Sequence, residues 1–299
     1  MALSDLQIKV ASETAVLGLQ KHMAPLYTLA HNFKELEGKK GAAIAVPVFK
    51  LDAAAEFNSS TNNWCSSEEI DGLTVTLDKH FIKSITLDDV TAGESDVNIL
   101  RDGTKAITEV LARAANSYTF GLINSTNVEA TAEVPAVADF TKDAVAALFA
   151  AADANGVNPY ESVLVLNPSY FAKTLANMDA IVYGGDEGVK RGVIPGLYGF
   201  RDVVCTSYLP EGTVGAIVPY GTLGIASRVN APAINGYVAT FDAVDENGFA
   251  LGFRAFEHLC EGRMILGGDV LFGAKILQDG IVRLVPEDVS SDDSNLIGG

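Results

Sequence analysis

The sequence predicts an α+β fold organised around one long helix, and three observations carry that prediction. Between Ser95 and Leu122, Leu100, Ile107, Leu111, Ala114, Tyr118 and Leu122 recur at spacings of seven, four, three, four and four, which puts them on one helix face. Upstream, two β-branched runs, 43–57 and 73–87, flank a polar excursion, the pattern of a strand going out and a strand coming back. Beyond residue 140 the chain changes to short alternating α and β elements, a second lobe with a small sheet and flanking helices.

Taken in order, residues 1–42 are expected to form an arm. Their helical pattern (Leu6, Val10, Leu17) is broken and stops near Pro25, leaving little apolar surface to bury. Residues 43–80 are expected to form an extended ribbon. Pro47 restricts its first strand to an edge or bulge. Its tip carries Phe57, an Asn/Ser/Thr run, Trp64, and the acidic group Glu68, Glu69 and Asp71. A loop of that length inside a compact domain is usually functional. Trp64 either anchors an interface or folds back on its own ribbon, and the three carboxylates read as a solvated tip rather than as calcium ligands or acid/base groups. Residues 81–139 hold the return strand and the long helix. Ser95 or Asp96 can cap that helix, Lys105, Glu109 and Arg113 make two i,i+4 opposite-charge pairs, and Gly103 permits a bend.

In the second lobe, 140–232, residues 141–154 form an Ala-rich helix closed by Asn155-Gly156, and Ser162 to Leu166 form a buried-type strand. Asn167-Pro168 starts a helix reaching Met178, with Asn as cap and Pro in the first turn. A Gly-rich loop over 183–199 carries Lys190 and Arg191, and strands follow at 201–207, 213–220 and 223–229. Residues 233–299 return to strands, with a hairpin turn at Asp245-Glu246-Asn247-Gly248 and an acidic tail from Pro286.

Composition narrows the function classes. The chain has 299 residues, 48% of them hydrophobic, with a formal net charge of −17, a balance that opposes phosphate binding. No run of about eighteen apolar residues and no leader pattern is present, so a soluble protein made in the cytoplasm is expected. Cys65, Cys205 and Cys260 are odd in number and lie far apart, which reads as free buried thiols. The Gly-rich loop lacks a phosphate-loop signature, the four histidines lack metal-ligand spacing, and no GxSxG elbow exists. No cofactor, metal or catalytic residue is therefore expected.

The order of parts resembles the major capsid protein of tailed double-stranded DNA bacteriophages, with the Hong Kong 97-type fold. The resemblance is carried by Lys79-His80-Phe81-Ile82-Lys83-Ser84-Ile85-Thr86-Leu87 running through Asp88-Asp89 into the long helix. It is carried also by Val163-Leu164-Val165-Leu166-Asn167-Pro168, Gly199-Phe200-Arg201-Asp202-Val203-Val204, Leu209-Pro210-Glu211-Gly212 and Asp279-Gly280-Ile281-Val282-Arg283-Leu284. It implies an N-terminal arm (1–42), an E-loop ribbon (43–80), a peripheral domain with a spine helix (81–139, rejoined by 233–299) and an axial domain (140–232). It further implies pentamers and hexamers of a virion capsid that assembles in the bacterial cytoplasm and encloses DNA with little direct binding. Portal and decoration proteins are implied partners, and no membrane is. The 42 residues before the ribbon leave no room for the cleaved scaffolding domain of some members, which implies a separate scaffolding protein or a chain already mature. No Lys–Asn cross-link position can be matched. Phe57, Trp64, Glu68, Glu69, Asp71, Lys190 and Arg191 are the candidates for contacts between subunits. An encapsulin shell shares the fold and remains an alternative, as does a soluble α/β enzyme using the second lobe.

Overall fold

The computed structural model describes residues 5–33, 43–49, 60, 70–88, 96–176, 193–195, 199–230, 237–258 and 263–287. Its helices are α1 (Asp5–Leu29), α2 (Asp96–Gly121), α3 (Lys142–Ala154) and α4 (Pro168–Ala176). Its strands up to the second lobe are β1 (Ala30–Asn32), β2 (Ala43–Phe49), β3 (Ile70–Thr76), β4 (Lys79–Asp88) and β5 (Thr131–Val134). Then come β6 (Ser162–Leu166), β7 (Val193–Pro195), β8 (Asp202–Cys205), β9 (Gly215–Pro219), β10 (Leu223–Arg228), β11 (Ala239–Val244), β12 (Ala250–His258), β13 (Arg263–Ile276) and β14 (Val282–Pro286). The chain divides into two compact units: Met1–Val16, Asn32–Leu111 and Leu223–Gln278 in the first, Leu17–His31, Ala112–Thr222 and Asp279–Gly299 in the second.

The first unit is built on β13, whose 14 residues serve several neighbours at once. Asp269 pairs with Ile82 of β4 on one side and Gly252 of β12 on the other, while Leu271 pairs with His80 and with Arg228 of β10. β4 therefore holds one edge, and β12 and then β10 hold the other. β11 extends the sheet through the expected hairpin, where Gly248 takes φ +83° and Phe249 N–H donates to Asp245 Oδ1 at 2.8 Å. The inner face carries Leu266, Val270 and Phe272, all fully buried. Leu100, Ile107 and Leu111 of α2 belong to the same buried set. Gly103 sits where the helix closely approaches the sheet, for a Cβ there would run into Ile85 Cδ1 of β4.

The second unit is a six-stranded mixed sheet in the order β5-β14-β9-β6-β8-β7. β6 runs parallel to β8 and β14 parallel to β5, and every residue of β6 is buried, as a strand covered on both faces requires. Phe140, Leu148, Leu164, Phe200, Ile217 and Leu284 share its core. α3 closes as expected, with Asn155 N–H reaching Ala151 O and Gly156 at φ +72°. α4 starts as expected too, with Tyr170 N–H donating to Asn167 Oδ1 at 3.0 Å.

Four expectations change. α1 is unbroken through Pro25. The roughly 3 kcal/mol that an interior proline costs is offset by a stripe of Ala11, Ala15, Leu19, Met23, Leu26 and Leu29, all with no exposed surface. Leu100, Ile107 and Leu111 of α2 are buried as expected, but Ala114, Tyr118 and, just past its end, Leu122 are half-buried, and the buried stripe also takes in Thr104, Thr108, Ala112, Ala115, Thr119 and Phe120. The threonines can be buried because each hydroxyl donates to a carbonyl one turn back, at 2.8, 2.8 and 2.9 Å. The ribbon's return strand is β3 alone, since β4 leaves it to join β13. Finally, β10, expected in the second lobe, pairs with β13, while β5 and β14 enter the second lobe's sheet.

Candidate functional site

The ribbon is an antiparallel pair running from Ala43↔Thr76 to Phe49↔Ile70. Pro47 sits opposite Gly72, which a two-stranded sheet tolerates because each strand has a free edge for the missing N–H. Its root is anchored to the first unit. Val75 is fully buried in a cluster with Ala226 and Leu277, against which Phe33 and Leu77 pack, and Lys275 Nζ donates to Thr74 O at 3.1 Å.

Strand alternation and cross-strand register place Ile82, Ser84, Gly252, Arg254, Phe256, Ile265, Gly267 and Asp269 on the sheet face opposite the core. A groove of about 560 Å³ crosses this face, lined by Ile82, Tyr237, Arg254, Phe256, Ile265 and Asp269. Ile82 is 70% exposed on β4, which has no strand partner beyond β13 among the described residues. Gly267 makes the open floor, for a Cβ there would meet nothing closer than 3.8 Å. Asp269 is the polar hub. Its nearly buried carboxylate lies 3.2 Å from His80 Nε2 and 3.5 Å from Arg254 Nη2, and Arg254 also donates to Asn230 O at 2.6 Å. Across Gly252, partial burial pushes the Asp242 carboxyl above its ordinary range; Arg254 pulls it back and Asp269 pushes it up again. A lone aspartate inside the otherwise apolar run 264–272 is the sequence signal for this cluster.

The second unit carries a smaller aromatic patch. Tyr160 and Tyr220 are exposed, the Arg201 guanidinium carbon lies over the Tyr220 ring at 4.0 Å, and Phe149 meets Tyr160 edge-on at 5.2 Å. Tyrosine and arginine are residues that dominate protein interfaces. Nearby on β8, Cys205 is a free, half-buried thiol whose pKa burial raises, an environment that suppresses thiolate chemistry.

Of the sequence-predicted contact residues, Phe57, Trp64, Glu68, Glu69, Lys190 and Arg191 lie outside the described residues, as do Cys65 and Cys260. Asp71 is placed by its backbone in β3, opposite Val48. Among the described residues, no three His, Cys, Asp or Glu side chains converge as a metal would require.

Comparison with known proteins gives this geometry its family. The profile of the family described as "Phage capsid protein" matches residues 71–256. No curated protein matches the chain. Among solved structures, one described as Mycobacterium phage Che8 superposes with a TM-score of 0.53 at 16% identity, covering 87% of this chain and 90% of its own. The capsid of a native GTA particle gives 0.57 at 14% identity, covering 88% and 90%. A virus-like particle from Pyrococcus furiosus gives 0.53 at 15% identity, covering 93% and 98%. With more than half of its length matched by the family profile, and with its fold shared by these capsid structures, the chain belongs to the phage capsid protein family and is a structural major capsid protein of the Hong Kong 97-type fold.

Proposed function

We propose that this subunit builds a closed icosahedral shell of pentamers and hexamers around phage double-stranded DNA, with the ribbon as its principal link between neighbours. The observation that carries this reading is a two-stranded ribbon, seven residues to a strand, that forms a sheet of its own within a chain of the capsid family. A two-stranded sheet is marginal alone and gains stability when another surface covers it. Repetition around a closed shell makes many modest contacts jointly strong. The net charge of −17 keeps packaged DNA from adhering to the wall.

Within this reading, Phe57, Trp64, Glu68, Glu69 and Asp71 at the ribbon tip and Lys190 and Arg191 in the axial loop contact neighbouring subunits. The subunit works structurally rather than catalytically, and assembly takes place in the host cytoplasm. Separate scaffolding and portal proteins, with an optional decoration protein, complete the particle. The likeness to the Pyrococcus furiosus virus-like particle favours one second reading, a nanocompartment shell of the encapsulin kind. Electron microscopy and sedimentation of the purified protein test the shell directly, and nuclease-protected DNA inside it separates phage capsid from nanocompartment. Deleting residues 58–71 should abolish closed shells while leaving a folded subunit; normal assembly by that variant refutes the ribbon's role.

A further inference from the structure

We infer that Gly224, Ala226, Gly273 and Lys275 form a fixed seat for the root of the ribbon and so set the direction in which it leaves the subunit, an inference that rests on the shell-building reading above. The register places the four seat positions side by side on one face: Gly273 opposite Ala226 and Lys275 opposite Gly224. Three of the four have little or no side chain, which hollows the surface there. The end of β3 drops into that hollow. A Cβ on Gly273 would collide with Thr76 O, and would lie 2.8 Å from Thr76 C and 3.2 Å from Leu77 Cα. These are backbone atoms, which cannot rotate aside as a side chain can. A Cβ on Gly224 would lie 2.8 Å from Leu277 Cδ1 and 2.9 Å from Phe33 Cε2, the two side chains that flank Val75 in its pocket.

The remaining seat residue supplies a tie. Lys275 Nζ donates to Thr74 O, a carbonyl of the ribbon's own return strand. Val75, between Thr74 and Thr76, has no exposed surface, so the root is held by a buried side chain flanked by two backbone contacts. The chain then turns through Leu77 and Asp78 directly into β4, whose His80 meets Asp269 on the same sheet. Seat and strand together leave the ribbon one exit direction. Its paired strands are about 23 Å long at 3.3 Å per residue, so a tilt of about 10° at the root displaces their far end by roughly 4 Å. In a closed shell, that displacement is repeated at every copy.

The test uses the full chain in four variants: Gly273→Ala and Lys275→Met against the seat, with Gly121→Ala, where an added Cβ meets nothing within 4 Å, and Lys275→Arg as controls. Hydrogen exchange of the unassembled subunit should rise about tenfold or more over residues 70–76 in the two seat variants, with β6 and β12 unchanged and both controls at the wild-type level. Electron microscopy of assembled material should then show mixed diameters or open sheets for the seat variants and uniform shells for the controls. Unchanged ribbon exchange overturns the seat. So does exchange that rises everywhere, because that is loss of the core alone. Raised ribbon exchange with uniform shells of wild-type diameter overturns the direction-setting role. If the wild-type protein forms no shells under any assembly condition, the shell-building reading fails with it, while the exchange result still decides the seat.

Discussion

The two consecutive glycines of β13 offer a test of the packing in the first unit. Gly267 and Gly268 are neighbours in sequence and lie on opposite faces of the sheet. A Cβ on Gly268 would lie 2.5 Å from Ile107 Cγ2, 3.2 Å from Phe253 Cε1 and 3.3 Å from Leu111 Cδ1, so all three contacts are with buried core side chains. A Cβ on Gly267 would meet nothing closer than 3.8 Å. Gly268→Ala therefore overpacks the contact of α2 with the sheet and should cost about 1–3 kcal/mol. Gly267→Ala adds a methyl in open space and restricts the unfolded chain, so it should be neutral or stabilise by a few tenths to about 1 kcal/mol. The two alanines thus differ by about 1–4 kcal/mol, which at about 2–4 °C per kcal/mol is a Tm difference of roughly 2–16 °C. Thermal melts of the unassembled subunit, followed by circular dichroism at 222 nm, read this directly. Equal melting temperatures would refute the claim that α2 presses on β13 at Gly268.

Other perturbations probe separate parts of the chain. Asp242 has a carboxyl pKa raised by burial and by Asp269, so its ionised form is disfavoured in the folded state and its cost is present above the folded pKa and relieved as pH falls through it. Asp242→Asn should accordingly raise Tm at pH 7, with the gain shrinking as pH falls into the carboxylate range; a gain independent of pH contradicts this. In the second unit, Phe200 is 1% exposed in a core with Val203 and Phe149, and Phe200→Ala should cost about 3–5 kcal/mol in chemical denaturation. Asn116, also buried, donates through Nδ2 to His22 O at 3.0 Å and to Ala112 O at 2.9 Å, while its Oδ1 has no partner among the described residues. Asn116→Ala should lose about 1–2 kcal/mol, less than two satisfied bonds would imply, because the unpaired oxygen is removed as well. A loss of 4 kcal/mol or more would show the amide to be fully satisfied.

What the sequence determined by itself was the α+β class, the kind and order of most elements, and the strongly acidic charge balance. Those signals are local. The Asn155-Gly156 stop, the Asn167-Pro168 start and the Asp245–Gly248 turn each hold their own hydrogen bonds within a few residues, so a short window suffices to read them. The tertiary structure decided what depends on partners far along the chain. Pro25 reads locally as a stop, yet the buried stripe from Ala11 to Leu29 carries the helix through it. The α2 stripe shifted from Ala114 and Tyr118 to threonines because a hydroxyl bonded one turn back can be buried, a cost no hydropathy pattern records. Leu223–Arg228 follows the second lobe in sequence but pairs with Leu271–Ile276, and Val282–Pro286 crosses the other way. The choice between two sheets is made by backbone hydrogen bonds and buried faces some fifty residues apart, and an apolar strand satisfies either sheet equally well until the whole chain has packed.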